Sequence, residues 1–142
     1  VSMQIQKPIN EVFEAIVNPE KMSNYFISES SGMMEDGKEL IWKFPEFDIN
    51  IPIRVGKIEK YKYISYYWES DNMELFVEMN LTSQNDNSKL VNITEKSRDN
   101  DEMGIKWLMG NSFGWSNFLS CLKAYLEYGI NLRKGAFDFM KK

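Results

Sequence analysis

The chain offers few groups that could do chemistry. It has no histidine and one cysteine, Cys121, so Ser-His-Asp and Cys-His catalysis, His-ligated metals and CxxC couples are all unavailable. No GxGxxG or GxxxxGK[ST] cradle occurs either. What remains is acids, bases, tyrosines and the lone thiol. Among the acids, Glu95 alternates with Val91 and Ile93, so the strand period turns its carboxylate inward. A buried carboxylate has a raised pKa and can act as an acid or anchor a ligand. Arg54, Glu78 and Asn80 fall out of phase with their apolar neighbours, on a solvent face. Cys121 lies off the centre of its apolar stripe, and nothing beside it in sequence would activate a nucleophile; it reads as a structural thiol.

The other unusual supply is aromatic. Phe, Trp and Tyr make up 14% of the chain, and such rings either fill a core or line a cavity for flat, apolar ligands. The candidates for a cavity wall are Trp42, Phe44, Ile51, Ile53, Tyr66, Trp68, Val77 and Met79 from strands. Trp115, Phe118, Leu119, Leu122 and Tyr125 come from a helix. Every one of them is equally suited to plain packing. Met33, Met34 and Met79 add pliable surface.

Elements of two periods must position these groups. After a short extended piece, Pro8 opens a helix with Ile9, Val12, Phe13 and Ile16 on one face; Pro19 ends it. Asn18 caps a second short helix offering Met22, Tyr25 and Phe26 inward. From residue 29 the period falls to two, with strands at 39–44, 49–55, 63–68, 75–81 and 90–96. Pro52 cannot donate to a ladder, which predicts an edge or a bulge there. Turn-rich breaks at 35–37, 70–72 and 84–88 make the strands an antiparallel meander.

After residue 101 the helical period returns. Trp115, Phe118, Leu119, Leu122, Leu126 and Ile130 share a stripe, with Tyr125 at its edge. A helix of about 30 residues, roughly 45 Å long, would reach across such a sheet. Gly110 then marks a bend or cap, while Gly114 and Gly129 let the backbone approach the strands. No linker or repeat divides the chain, so residues 1–142 read as one α+β domain.

Three stretches carry a family resemblance. "KPINEVFEAIVNPEKMSNYF" resembles an opening Pro-x3-Val-Trp-x-Ala helix, with Phe13 where Trp is common. "GKIEKYKYISYYW" resembles a Gly-x-Ile/Val-x-Glu strand ending in Trp, and "GWSNFLSCLKAYLEYG" a Gly-Trp-led C-terminal helix. Together, in this order, they are similar to the START-like (helix-grip, SRPBCC) superfamily, and within it the activator of heat-shock-protein-90 ATPase homologue-like group. The resemblance implies the Bet v-like helix-grip fold: a curved antiparallel sheet of six to seven strands around a long C-terminal helix, with two short helices after the first strand.

One such scaffold hosts carriers, aromatase/cyclases and a chaperone activator, so function rests on the site. The expectation is a non-catalytic cavity for a small hydrophobic or aromatic molecule, gated by loops 27–38 and 97–105, with no cofactor and no metal. A co-chaperone-like interaction module and a cyclase- or hydrolase-type enzyme using tyrosines and Glu95 are the alternatives. A net charge of -4 without a basic stripe argues against nucleic acid. The apolar runs are too short to span a membrane, no signal-peptide pattern opens the chain, and one cysteine suits a reducing cytoplasm.

Overall fold

Pro8 fixes the backbone where the first strand turns into the first helix. In a computed structural model, which describes residues 1–96 and 98–141, β1 (Ser2–Ile5) is followed by α1 (Ile9–Val17). Val12, Phe13, Ala15, Ile16 and Val17 are its buried face. Asn18 then caps α2 (Pro19–Met22), its Oδ1 accepting from the Glu20 N–H at 3.0 Å. Met22, Tyr25 and Phe26 are buried as their spacing predicts.

Six strands follow: β2 (Glu29–Ser30), β3 (Glu39–Phe44), β4 (Phe47–Glu59), β5 (Tyr63–Ser70), β6 (Met73–Asn85) and β7 (Ser88–Glu95). With β1 they form one seven-stranded antiparallel sheet in the order β1-β7-β6-β5-β4-β3-β2. Asp71 and Asn72, at φ 52° and 59°, make the tight turn that pairs Ser70 with Met73. Their short polar side chains tolerate that left-handed backbone.

Period two decides which face is dry. Leu40, Trp42 and Phe44 on β3, Ile53 and Val55 on β4, and Ile64 and Tyr66 on β5 all point inward and are buried. So do Leu75, Val77, Met79 and Leu81 on β6, with Val91 and Ile93 on β7. On the opposite face Arg54 stacks over the Tyr67 ring at 3.9 Å and pairs with Glu74 at 3.0 Å, while Glu78 accepts from the Tyr63 hydroxyl at 2.6 Å. Asn80 is exposed there too.

Pro52 departs from its expected edge position. It lies on an interior strand, opposite Ile41 of β3. The Val55 N–H donates to Lys38 on the β3 side, so by alternation the Pro52 nitrogen faces β5. Pairing of β4 with β5 begins only at Arg54, and the missing donor therefore costs no ladder bond.

The long helix α3 (Glu102–Tyr128) starts at Asp101, whose Oδ1 accepts from the Gly104 N–H at 2.7 Å. It does not cover the sheet along its whole length. Trp115, Phe118, Leu119, Cys121 and Leu122 are buried, with Tyr125 and Leu126 packed against the core. Before Trp115 only Gly104 is buried, and Met103, Ile105, Leu108, Met109 and Phe113 face outward. Ile130, expected on the apolar stripe, lies beyond the helix and is exposed.

The glycines also take other roles than close approach. Gly129 is the left-handed cap of α3 at φ 66°, its N–H bonded to the Tyr125 carbonyl. Gly110 and Gly114 sit inside a continuous helix, and a Cβ on either would touch nothing within 4 Å. The remaining segment runs through a 3-10 turn, Asp138–Met140. No described helix is long and apolar enough to cross a membrane.

Candidate functional site

The absent side chain at Gly114 opens a space. Helix α3 passes the far end of the β3–β4 hairpin there, and the two elements do not close on each other. A cavity of about 360 Å³ results. Phe44, Glu46, Phe47 and Ile51 of the hairpin form one wall, and Asn111, Phe113, Gly114, Trp115 and Asn117 of α3 face them. Trp68 and Phe26 close the inner end, while Arg133, Phe137 and Met140 arrive from the segment after α3.

Behind the cavity the aromatic rings form a connected wall. Trp115 lies 5.7 Å from Trp68, 5.5 Å from Phe118 and 6.4 Å from Phe26. Tyr66 meets Trp68 edge-on at 5.6 Å and Trp42 at 5.3 Å. Such rings bury large apolar areas and hold fixed mutual angles. Glu95 locks the two indoles that border the cavity: Trp115 Nε1 donates to Oε2 at 2.6 Å and Trp68 Nε1 to Oε1 at 3.4 Å. Glu95 thus points inward, but toward indole N–H groups rather than toward an open space.

Tyr66 carries a different cost. Its hydroxyl is buried without a hydrogen-bond partner, and burial, then the charges at Glu95 and Tyr25, push its pKa well above the ordinary 10.0. Tyr25 is raised likewise, first by burial and then by Tyr125 and Cys121, but its hydroxyl donates to the Ala15 carbonyl at 2.9 Å. Burial also raises the Cys121 thiol, and its Sγ lies 3.6 Å from Asn117 Oδ1. A thiol so placed is a poor nucleophile.

The charged pair in the cavity wall is Glu46 with Arg133. Arg133 Nη2 donates to Glu46 Oε2 at 2.9 Å, and the two side chains are only 14% and 4% exposed. Among the described residues no group of three or more His, Cys, Asp or Glu could hold a metal ion.

Of the residues singled out from the sequence, Phe44, Ile51, Trp68 and Trp115 line the cavity. Trp42, Ile53, Tyr66, Val77, Met79, Phe118, Leu119 and Leu122 are packed into the core, and Tyr125 stacks on Tyr25 at 5.6 Å. No described residue of 27–38 or 97–105 borders the cavity; its outer boundary is the β3–β4 turn and residues 133–140. Met34 is buried, and Met33 is exposed away from it. Sequence reasoning missed Glu46, Phe47, Asn111, Phe113, Asn117 and the whole C-terminal contribution. The available signal was Arg133, Phe137 and Met140 following the helix-ending Gly129.

A curved sheet gripping a long C-terminal helix, with a cavity beside the helix, defines a START-like, helix-grip SRPBCC domain. Residues 6–127 match the family described as Activator of Hsp90 ATPase homolog 1-like protein, and the chain belongs to that family. No curated protein matches it. The crystal structure of protein SSP2350 from Staphylococcus saprophyticus is 32% identical, covers 94% of this chain and 93% of that one, and superposes with a TM-score of 0.81. The Aha1 dimer from Colwellia psychrerythraea shares the fold at 14% identity, with 91% and 95% of the chains covered and a TM-score of 0.75. So does the di-domain ARO/CYC BexL of the BE-7585A biosynthetic pathway, at 14% identity and a TM-score of 0.77. That alignment covers 89% of this chain but only 45% of BexL.

Proposed function

We propose that this domain binds a small hydrophobic or aromatic molecule in the cavity between α3 and the β3–β4 hairpin. The observation that carries the reading is the cavity itself: about 360 Å³, walled by Phe26, Phe44, Ile51, Trp68 and Trp115. That volume lies within the range of about 300–1,000 Å³ usual for small-molecule sites. The superfamily fold, shared with a protein whose name includes ARO/CYC, supports the same reading. Holding a molecule is favoured over transforming it because the ionisable groups in the wall, Glu46 and Arg133, are bonded to each other. Glu95 has both oxygens on indoles.

Trp68 and Trp115 make the test direct. Titrating the protein with flat aromatic and alkyl compounds should quench or shift tryptophan emission saturably and raise the melting temperature. Compounds that leave both unchanged across the whole panel would overturn the reading.

A second reading rests on a separate observation, the exposed apolar side chains Met103, Ile105, Leu108 and Met109 of α3. An exposed patch of this kind is a protein-docking surface in many soluble domains. The family description points to a chaperone as its partner. Co-purification with an Hsp90-type chaperone and a change in its ATPase rate would support this; no change in rate at saturating domain would reject it.

A further inference from the structure

The cavity wall holds one buried carboxylate, and it comes from the β3–β4 hairpin. Glu46 sits on the turn joining β3 to β4, beside Phe44 and Phe47. Removing a carboxylate from water is costly unless a cation meets it. That cation comes from elsewhere in the chain: Arg133, on the segment that follows α3.

Arg133 is also surrounded by aromatic faces. Its guanidinium carbon lies 5.7 Å from the ring centres of Phe26 and Phe44 and 4.8 Å from that of Phe137. Phe26 and Phe44 belong to the buried core, whereas Phe137 lies on the same segment as Arg133. Aromatic faces plus a carboxylate are the means by which proteins recognise organic cations. The Nε of Arg133 is buried with no partner, so this cage satisfies the arginine incompletely.

The segment that delivers Arg133 is lightly tied. Its own bonds are local: Lys134 to Asn131, Ala136 to Arg133, Asp138 to Gly135 and Met140 to Phe137. Among the described residues, the hydrogen bond from residues 131–141 to the body of the domain is Arg133 to Glu46.

We infer that the cavity's ligand is a hydrophobic organic cation, an amine or guanidinium on an aromatic or alkyl body, and that Arg133 is its resident surrogate. The inference rests on the cavity being a ligand site. The ligand's cation takes the place of the guanidinium between Glu46, Phe26 and Phe44, and its apolar body lies against Ile51, Trp68 and Trp115. A cation exchanged for a cation leaves Glu46 paired throughout. An anion would instead bring a second negative charge beside the Glu46 carboxylate, which lies 2.9 Å from its one guanidinium partner. A neutral molecule would displace nothing and gain nothing from the carboxylate.

Phenethylguanidinium, with neutral phenethylurea and anionic phenylpropionate as matched controls, tests this on the full chain. Arg133→Ala should melt below the parent, and phenethylguanidinium should restore its melting temperature while the controls do not. Its affinity for Arg133→Ala should exceed that for the parent by at least about tenfold, the factor expected if Arg133 fills the cage nine-tenths of the time. Should Arg133→Ala fail to fold, the parent is compared with the charge-neutral double variant Glu46→Gln/Arg133→Gln, in which the preference for the guanidinium over the urea should vanish. Equal shifts by the guanidinium and the urea in the proteins that keep Glu46, or a preference that survives Glu46→Gln, overturns the inference while leaving the cavity reading intact. Binding by none of the three, nor by any uncharged aromatic probe, overturns both.

Discussion

Glu95, the last residue of β7, accepts a 2.6 Å hydrogen bond from the indole of Trp115 in the middle of α3. The bond fastens the sheet to the helix at the cavity's back wall, and the other oxygen of Glu95 holds Trp68. Hydrogen bonds to a charged partner contribute about 1.5–3 kcal/mol. Glu95→Ala should therefore lower stability by about 2–3 kcal/mol, read from urea unfolding, and red-shift tryptophan emission. Glu95→Gln keeps one acceptor and should lose about half as much.

Tyr66 and Tyr25 are both buried, but only Tyr25 has a partner for its hydroxyl. Tyr66→Phe removes an unsatisfied polar atom and should be neutral or stabilising by about 1 kcal/mol. Tyr25→Phe abandons the Ala15 carbonyl and should cost about 1 kcal/mol or more. Opposite signs in paired denaturation curves are the expected result.

These two phenols also set a response to alkali. Each has a folded pKa well above the 10.0 of an exposed tyrosine. Above about pH 10 the unfolded chain therefore binds fewer protons than the folded one, and stability falls as pH rises. Their contribution is fully present below that pH. Each phenol should add a slope of about 1.4 kcal/mol per pH unit. Urea melts from about pH 9 to pH 11 should steepen accordingly, and the Tyr66→Phe variant should show a shallower fall.

The helix glycines separate stability from binding. A Cβ at Gly110 or Gly114 meets nothing, so either residue changed to Ala should gain about 0.5–1 kcal/mol of helix stability. Gly114 borders the cavity and Gly110 does not. Gly114→Leu should thus weaken cavity ligands, while Gly110→Ala leaves them unaffected. Gly129→Ala, at φ 66°, should cost about 1 kcal/mol.

The meander was legible because each strand obeys period two against one dry face, and a one-residue slip would invert every side chain. β2, only two residues long, carries no such pattern and went unseen. The C-terminal helix was legible by its 3.6 period, yet its reach was overstated. Periodicity marks Met103, Ile105, Leu108 and Met109 as apolar without saying whether any surface lies beneath them.

The site divides along the same line. The sequence by itself determined the α+β order of a short strand, two short helices, an antiparallel meander and a long C-terminal helix, the inward phase of Glu95 and the aromatic stripe that Trp115 begins, because all three follow from local period and turn chemistry. Only the tertiary structure decided where packing leaves off and a cavity begins. Glu46 and Arg133, 87 residues apart, meet at 2.9 Å because the hairpin end and the segment after Gly129 converge in space. No local spacing encodes that meeting. It depends on how far the helix overhangs the sheet, and therefore on the summed packing of every residue between them.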